Sequence, residues 1–179
     1  RTYGAKNELL TETRTGTHAG AAYVDNRSPS DLTQWGNGGV TVAPGGTIDG
    51  QPATLFTSAP GATWSGMSGG WTAVQAGDQI SFEITLQAVG SITAQSLGIY
   101  GNLSGWGTGG TSTIQILSGP GTASLETGTF WQISGLSTTQ ATRIRVTRTF
   151  AQTESAEAYF YVDHPGGYRD GAQLLAADP

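Results

Sequence analysis

Gly77-Asp78-Gln79-Ile80-Ser81-Phe82-Glu83-Ile84-Thr85-Leu86-Gln87-Ala88-Val89 is the stretch that decides the architecture. Ile80, Phe82, Ile84 and Leu86 fall on one parity, while Gln79, Ser81, Glu83, Thr85 and Gln87 fall on the other. Successive side chains leave a β-strand on opposite sides, so this alternation describes a strand with one face in a core. A lone sheet cannot hide such a face. A second sheet has to lie over it, which predicts that the stretch is the centre of a two-sheet sandwich. The turn ahead of it, Gln75-Ala76-Gly77-Asp78, supplies the Gly and Asp that tight connections use.

Working outward, the same short-strand grammar recurs. Val40-Thr41-Val42 reads as a strand stopped by Pro44-Gly45-Gly46, and Ala53-Thr54-Leu55-Phe56-Thr57 as another. Residues 59–71 read as a loop. Further strands are predicted at Gln95 to Tyr100, Thr111 to Leu117, Phe130 to Ser134, Arg143 to Phe150, Ala158 to Val162 and Ala172 to Leu175. In Arg143–Phe150 the alternation puts Arg148 on the same side as Ile144 and Val146. No stretch carries a helical stripe with caps. About nine short strands without helices between them predict an all-β fold, an antiparallel two-sheet β-sandwich or jelly roll, as one domain over residues 1–179.

Composition narrows the function classes. The 179 residues include 28 glycines and no cysteine, so disulfides and thiolate chemistry are excluded. Net charge is −5, with Lys6 the single lysine, and only Arg143, Arg145 and Arg148 come close to a cationic cluster. That argues against nucleic acid as a partner. No apolar run reaches membrane-spanning length. Because the chain begins at Arg1, it is read as a fragment of, or module in, a larger assembly.

Several motifs dissolve on inspection. Gly105-Trp106-Gly107-Thr108-Gly109-Gly110 has the spacing of a dinucleotide loop, but the strand Thr113–Leu117 follows where a helix is required. Gly66-Met67-Ser68-Gly69-Gly70 spells a nucleophile elbow, yet no helix follows Ser68 and only His164 lies downstream. His18 and His164 are isolated, which argues against catalytic zinc. Glu83 projects from the polar face of the central strand without a second carboxylate at Ser81 or Thr85, which argues against glycosidase chemistry.

The tryptophans say more. Trp35, Trp64, Trp71 and Trp106 lie in glycine-rich segments outside the alternating strands, whereas Trp131 reads as core. Indole faces stack on the apolar faces of sugars and the N–H donates to hydroxyls, so the four fit a glycan-binding surface; the bland reading is that they plug the open ends of the sandwich. A calcium ion is a further expectation, since Glu12 and Asp170 would meet if the first and last strands pair, with Asp25, Asp31 and Asp163 also available.

The last third carries a resemblance. Phe130-Trp131-Gln132-Ile133-Ser134-Gly135-Leu136, Arg143-Ile144-Arg145-Val146, Tyr159-Phe160-Tyr161-Val162-Asp163 and Tyr168-Arg169-Asp170-Gly171-Ala172-Gln173-Leu174 follow one order. Together with Asn7-Glu8-Leu9-Leu10-Thr11-Glu12 and Ala43-Pro44-Gly45-Gly46-Thr47, they resemble jelly-roll carbohydrate-binding modules carried on the tail fibres and surface appendages of phages and phage-like particles. The resemblance implies non-catalytic binding of cell-surface polysaccharide, an extracellular or virion-surface location, other subunits of a larger assembly as partners, and a homo-oligomer. It also implies a structural calcium at Glu12 and Asp170. A site on the concave sheet face would use Glu83, Gln87 and Tyr100; a site in the edge loops would use Trp35, Trp64, Trp71 and Trp106. The competing expectations are a structural assembly domain with no glycan ligand and, further off, a polysaccharide-cleaving enzyme.

Overall fold

A computed structural model describes residues 22–25, 35–61, 66–69, 71–90, 94–107, 109–162 and 171–177. Among them are fourteen strands and no helix, arranged as two seven-stranded sheets. In the first sheet the hydrogen-bonded order is β3 (Val40–Ile48), β4 (Gln51–Ser58), β14 (Gln173–Ala177), β7 (Gln79–Val89), β12 (Thr142–Phe150) and β9 (Gly110–Ser118). A short strand, β1 (Ala22–Asp25), joins β7 beside residues 79–82, leaving residues 85–89 of that edge to β14. The second sheet runs β10 (Thr122–Thr127), β11 (Phe130–Ser134), β8 (Ala94–Gly101), β13 (Glu154–Tyr161), β5 (Gly66–Gly69) and β2 (Trp35–Gly38), with β6 (Thr72–Val74) also on β13. The predicted β-sandwich is therefore present. Its pairings are antiparallel except that of β1 with β7.

β7 is the central strand that its alternation predicts. Ile80, Phe82, Ile84 and Leu86 enter the core, where they meet Leu97, Ile99, Ile133, Ile144, Val146 and Phe160 from both sheets. Each such side chain, fully withdrawn from water, contributes about 1.5–3 kcal/mol. The opposite face of β7 is less wet than a half-buried strand suggests, because Glu83 and Thr85 are buried as well. Arg143 and Arg145 on β12 close over Glu83, and this accounts for its burial.

Three local readings need correction. β3 does not stop at Pro44 but continues to Ile48, absorbing Pro44-Gly45-Gly46 as a register shift between Pro44 and Thr47. As the outermost strand of its sheet, it tolerates a proline without a donor there. Gly66–Gly69 is not a loop: β5 pairs with both β13 and β2, with Ser68 opposite Tyr159. β10 was not predicted, since Thr122-Ala123-Ser124-Leu125-Glu126-Thr127 is almost wholly exposed and has no apolar parity to display.

Candidate functional site

The outer face of the second sheet gathers most of the described aromatics that are not in the core. On β13 the parity is clean: Ala156, Ala158 and Phe160 enter the core, and Glu157, Tyr159 and Tyr161 take the outer face. Tyr100 of β8 lies opposite Glu157, and Gly98 lies opposite both Tyr159 and Phe130. Gly98 thus leaves a bare spot between two aromatic neighbours, and Trp106 fills it. A Cβ on Gly98 would stand 2.9 Å from Trp106 Cζ3 and 3.1 Å from Phe130 Cδ2, so no other residue admits the indole in this position.

The rings form one array. Trp106 lies 5.0 Å from Tyr100 at 65° and 5.5 Å from Tyr159 at 73°, while Tyr100 and Tyr159 are 6.1 Å apart at 76°. Tyr161 runs parallel to Tyr159 at 5.9 Å, and Phe130 backs Trp106 at 4.5 Å. Tyr100, Trp106, Tyr159 and Tyr161 line an open cleft of about 300 Å³. Trp71, 51% exposed, extends the array beyond Tyr100 at 6.2 Å. It immediately precedes β6, whose Thr72 pairs with Ala156. Glu157, opposite Tyr100, accepts the Tyr159 hydroxyl on its carboxylate at 2.7 Å.

Trp106 sits on a loop that the core holds from beneath. The chain turns back on itself through the bridge between Gly101 and Gly105. Arg148, whose exposure is 0%, reaches across from the first sheet and donates to the carbonyls of Ile99 (2.7 Å) and Gly105 (2.9 Å) and to Ser104 Oγ (2.6 Å). Glu154 accepts from Ser104 Oγ at 2.6 Å and from the amides of Leu103 and Ser104 at 3.0 Å. On the far side Thr129 gives both its amide and its hydroxyl to the Trp106 carbonyl. Gly128 (φ 53°) lets the chain pass under that carbonyl, where a Cβ would come within 2.0 Å of the oxygen.

The charges in this support shape each other. Burial pulls the Arg148 guanidinium below its ordinary pKa, and the nearby Glu154 carboxylate opposes that pull. For Glu154, burial alone would raise the pKa; the Ser104 hydroxyl and amide, the Leu103 amide and the Arg148 charge outweigh it, leaving the carboxyl below its ordinary value. An ionised carboxylate that accepts several donors is the expected result of such an arrangement.

The candidates read from the sequence separate. Trp71, Tyr100 and Trp106 come together in the array. Glu83 and Gln87 do not join Tyr100 on one concave face: they belong to β7 of the other sheet. There Glu83 is held by Arg143 at 2.8 Å and by Arg145, and Gln87 donates to the Thr138 carbonyl. Burial would raise the Glu83 pKa, but those two arginines bring it below the ordinary value. Trp35 begins β2 with its backbone opposite Gly69, and its side chain is outside the described ones. Trp64, Glu12, Asp31, Asp163 and Asp170, and with them the calcium expectation, lie outside the described residues. Among the described residues, no three His, Cys, Asp or Glu converge in a way that could hold a metal. Trp131 is half-buried against the core, its indole N–H donating to Ser112 Oγ on the opposite sheet at 2.8 Å.

Glu157, Tyr159 and Tyr161 were missed. Ala158–Val162 reads as apolar on both faces, and a tyrosine at every second position gives no sign of whether its face is covered. The signal was the spacing of Glu157, Tyr159 and Tyr161 on the parity opposite Ala156, Ala158 and Phe160.

No protein-family model matches the chain, and no curated protein matches it in sequence. Two solved structures are similar in arrangement. One, described as a candidate sugar-binding protein from Bacteroides thetaiotaomicron, is 12% identical, with 90% of this chain and 92% of that one covered and a TM-score of 0.48. The other is a xylan-binding domain (CBM22-1) from Paenibacillus barcinonensis, 14% identical, with 80% and 81% covered and a TM-score of 0.42. Neither likeness bears on what this chain binds; that rests on the cleft itself.

Proposed function

We propose that the chain binds a carbohydrate, without cleaving it, in the aromatic cleft on the outer face of the second sheet. The observation that carries this reading is the set of four rings, Tyr100, Trp106, Tyr159 and Tyr161, around an open space of about 300 Å³. Ring faces meet the C–H faces of a sugar, and tyrosine hydroxyls and the indole N–H offer the hydrogen bonds that orient it. Trp71 extends the contact to a neighbouring sugar unit. A binding role without hydrolysis agrees with the carboxylates on this face. Glu157 is tied to the Tyr159 hydroxyl, and Glu126 accepts from Ser96, past the Gly98–Phe130 pair. Hydrolysis instead asks for two carboxyl groups facing each other across the scissile bond.

The setting follows from the resemblance of the chain's segments to phage-appendage modules: host-surface recognition by a virion-like or secreted assembly, with calcium between Glu12 and Asp170. One shallow site of this kind binds weakly, so adhesion depends on several copies acting together. The second reading, an assembly surface for another protein subunit, draws on the same exposed rings, Trp71 above all.

A glycan array probed with the multivalent protein, with and without a calcium chelator, separates these. Saturable binding that is lost in Trp106→Ala and Tyr161→Ala supports the reading. Binding to no polysaccharide by folded protein, with capture of a partner subunit instead, overturns it.

A further inference from the structure

Three rings of the cleft are steeply inclined to one another and do not form a flat platform, and a carboxylate lies beside them. Tyr100, Trp106 and Tyr159 are mutually inclined by 65–76°, and all of them line the same open space. The centres of these rings are 5.0–6.1 Å apart, comparable with the ~6 Å over which a ring face attracts a cation. A flat sugar face lies on one of these inclined rings at a time, whereas a compact group seated among them approaches more than one.

Charge points the same way. Glu157 lies opposite Tyr100 with its carboxylate on the Tyr159 hydroxyl, and Glu126 sits on the same face of the sheet. Among the described residues, the cations are Arg143, Arg145 and Arg148, and all of them are on β12 of the other sheet. Arg143 and Arg145 are bound to Glu83 on the far outer face, and Arg148 is buried in the core. The cleft therefore looks out from a face whose described charges are negative, on a chain whose net charge is −5.

We infer that the cleft takes an organic cation carried on the glycan: a trimethylammonium substituent or the protonated amine of an amino sugar. The two share one chemistry, a compact positive group stabilised by ring faces with a carboxylate nearby. The inference rests on the proposed reading of the cleft as a glycan site and narrows it to a ligand class.

The test is a titration of the intact protein, followed by Trp106-sensitive fluorescence and by NMR. The probes are choline and glucosamine, each beside its uncharged counterpart, 3,3-dimethylbutan-1-ol and N-acetylglucosamine. The cation is expected to bind about 2- to 30-fold tighter than its counterpart. The preference shrinks as salt is raised and falls in Glu157→Gln, a change that keeps a hydrogen-bond acceptor for Tyr159. Which of choline and glucosamine binds tighter assigns the source of the cation. Neutral oligosaccharides that bind in a Trp106-dependent manner, with no preference for either cation, overturn this inference and leave the glycan reading standing. Preference for a cation that persists unchanged in Glu157→Gln and in high salt overturns the part given to the carboxylate, because the ring faces alone would then account for it. Failure of every probe and every oligosaccharide overturns both.

Discussion

Arg148 of the first sheet and Ser104 in the loop that follows β8 of the second meet in the core: the guanidinium donates to Ser104 Oγ at 2.6 Å, and the same hydroxyl donates to Glu154 at 2.6 Å. A fully buried guanidinium carries a heavy desolvation cost, which only good partners offset. Here two of the three acceptors, the Gly105 carbonyl and Ser104 Oγ, belong to the loop that presents Trp106, so part of the cost of burial is balanced by contacts that shape the site. Replacing Arg148 by Met removes the guanidinium donor from the carbonyls of Ile99 and Gly105 and its compensating charge from Glu154. Denaturant unfolding should show a loss of about 3 kcal/mol or more. Arg148→Lys should recover part of the stability yet still weaken ligand binding, because one ammonium cannot span the three acceptors. Equal binding by Arg148→Lys and the parent protein would separate the network from the site.

Acid should act through Glu154 and Glu83. Both have folded-state pKa values below the ordinary 4.5, so in the window between folded and unfolded values the unfolded chain holds more protons. Their contribution to stability is complete above 4.5 and is lost as pH falls through the folded-state values. Melting temperature measured from pH 7 downward should therefore drop below that point, and Glu154→Gln should flatten the acid limb while lowering the plateau. An acid limb of unchanged steepness in Glu154→Gln would remove this residue from the account.

Gly98 makes the space for the indole, and this gives a sharp steric prediction. Gly98→Val places branched carbon where Trp106 Cζ3 and Phe130 Cδ2 now lie, displacing the ring from the cleft. Overpacking of this kind costs about 1–3 kcal/mol. Trp106 emission should shift to the red as the ring moves towards water, and ligand binding should fall with it. Unaltered emission would mean that the ring does not depend on that gap.

The far face supplies the control. Glu83→Gln weakens the contacts to Arg143 and Arg145 and should lower stability by about 1–3 kcal/mol without changing affinity, since the whole core separates β7 from the cleft. A matching loss of affinity would restore Glu83 to the binding surface.

How much of this could be read in advance depended on what each residue faces. Ile80, Phe82, Ile84 and Leu86 announce a strand because only one parity is apolar, and the same logic correctly turns Arg148 inward with Ile144 and Val146. Parity within one strand says nothing about which sheet that strand joins. Glu83 and Tyr100 therefore look equally eligible for one surface until the pairings assign them to different sheets. Gly98 was illegible for a related reason. Its role is to be absent beneath a tryptophan eight positions later, a relationship made by the loop's return and not by spacing along a strand. β10 escaped because an exposed edge strand has no buried face to advertise.

The central claim is that the rings around the cleft bind a carbohydrate. The most direct measurement is isothermal titration of the best polysaccharide from the array into the parent protein, Tyr161→Ala and Trp71→Ala, with Glu83→Gln alongside. Tyr161 and Trp71 are chosen because neither is buried, so their removal should leave the fold intact. The expected result is about a tenfold or greater loss of affinity in Tyr161→Ala, a smaller loss in Trp71→Ala and none in Glu83→Gln. Equal affinity in all four proteins, each shown to be folded, would contradict it and move the binding surface elsewhere on the chain.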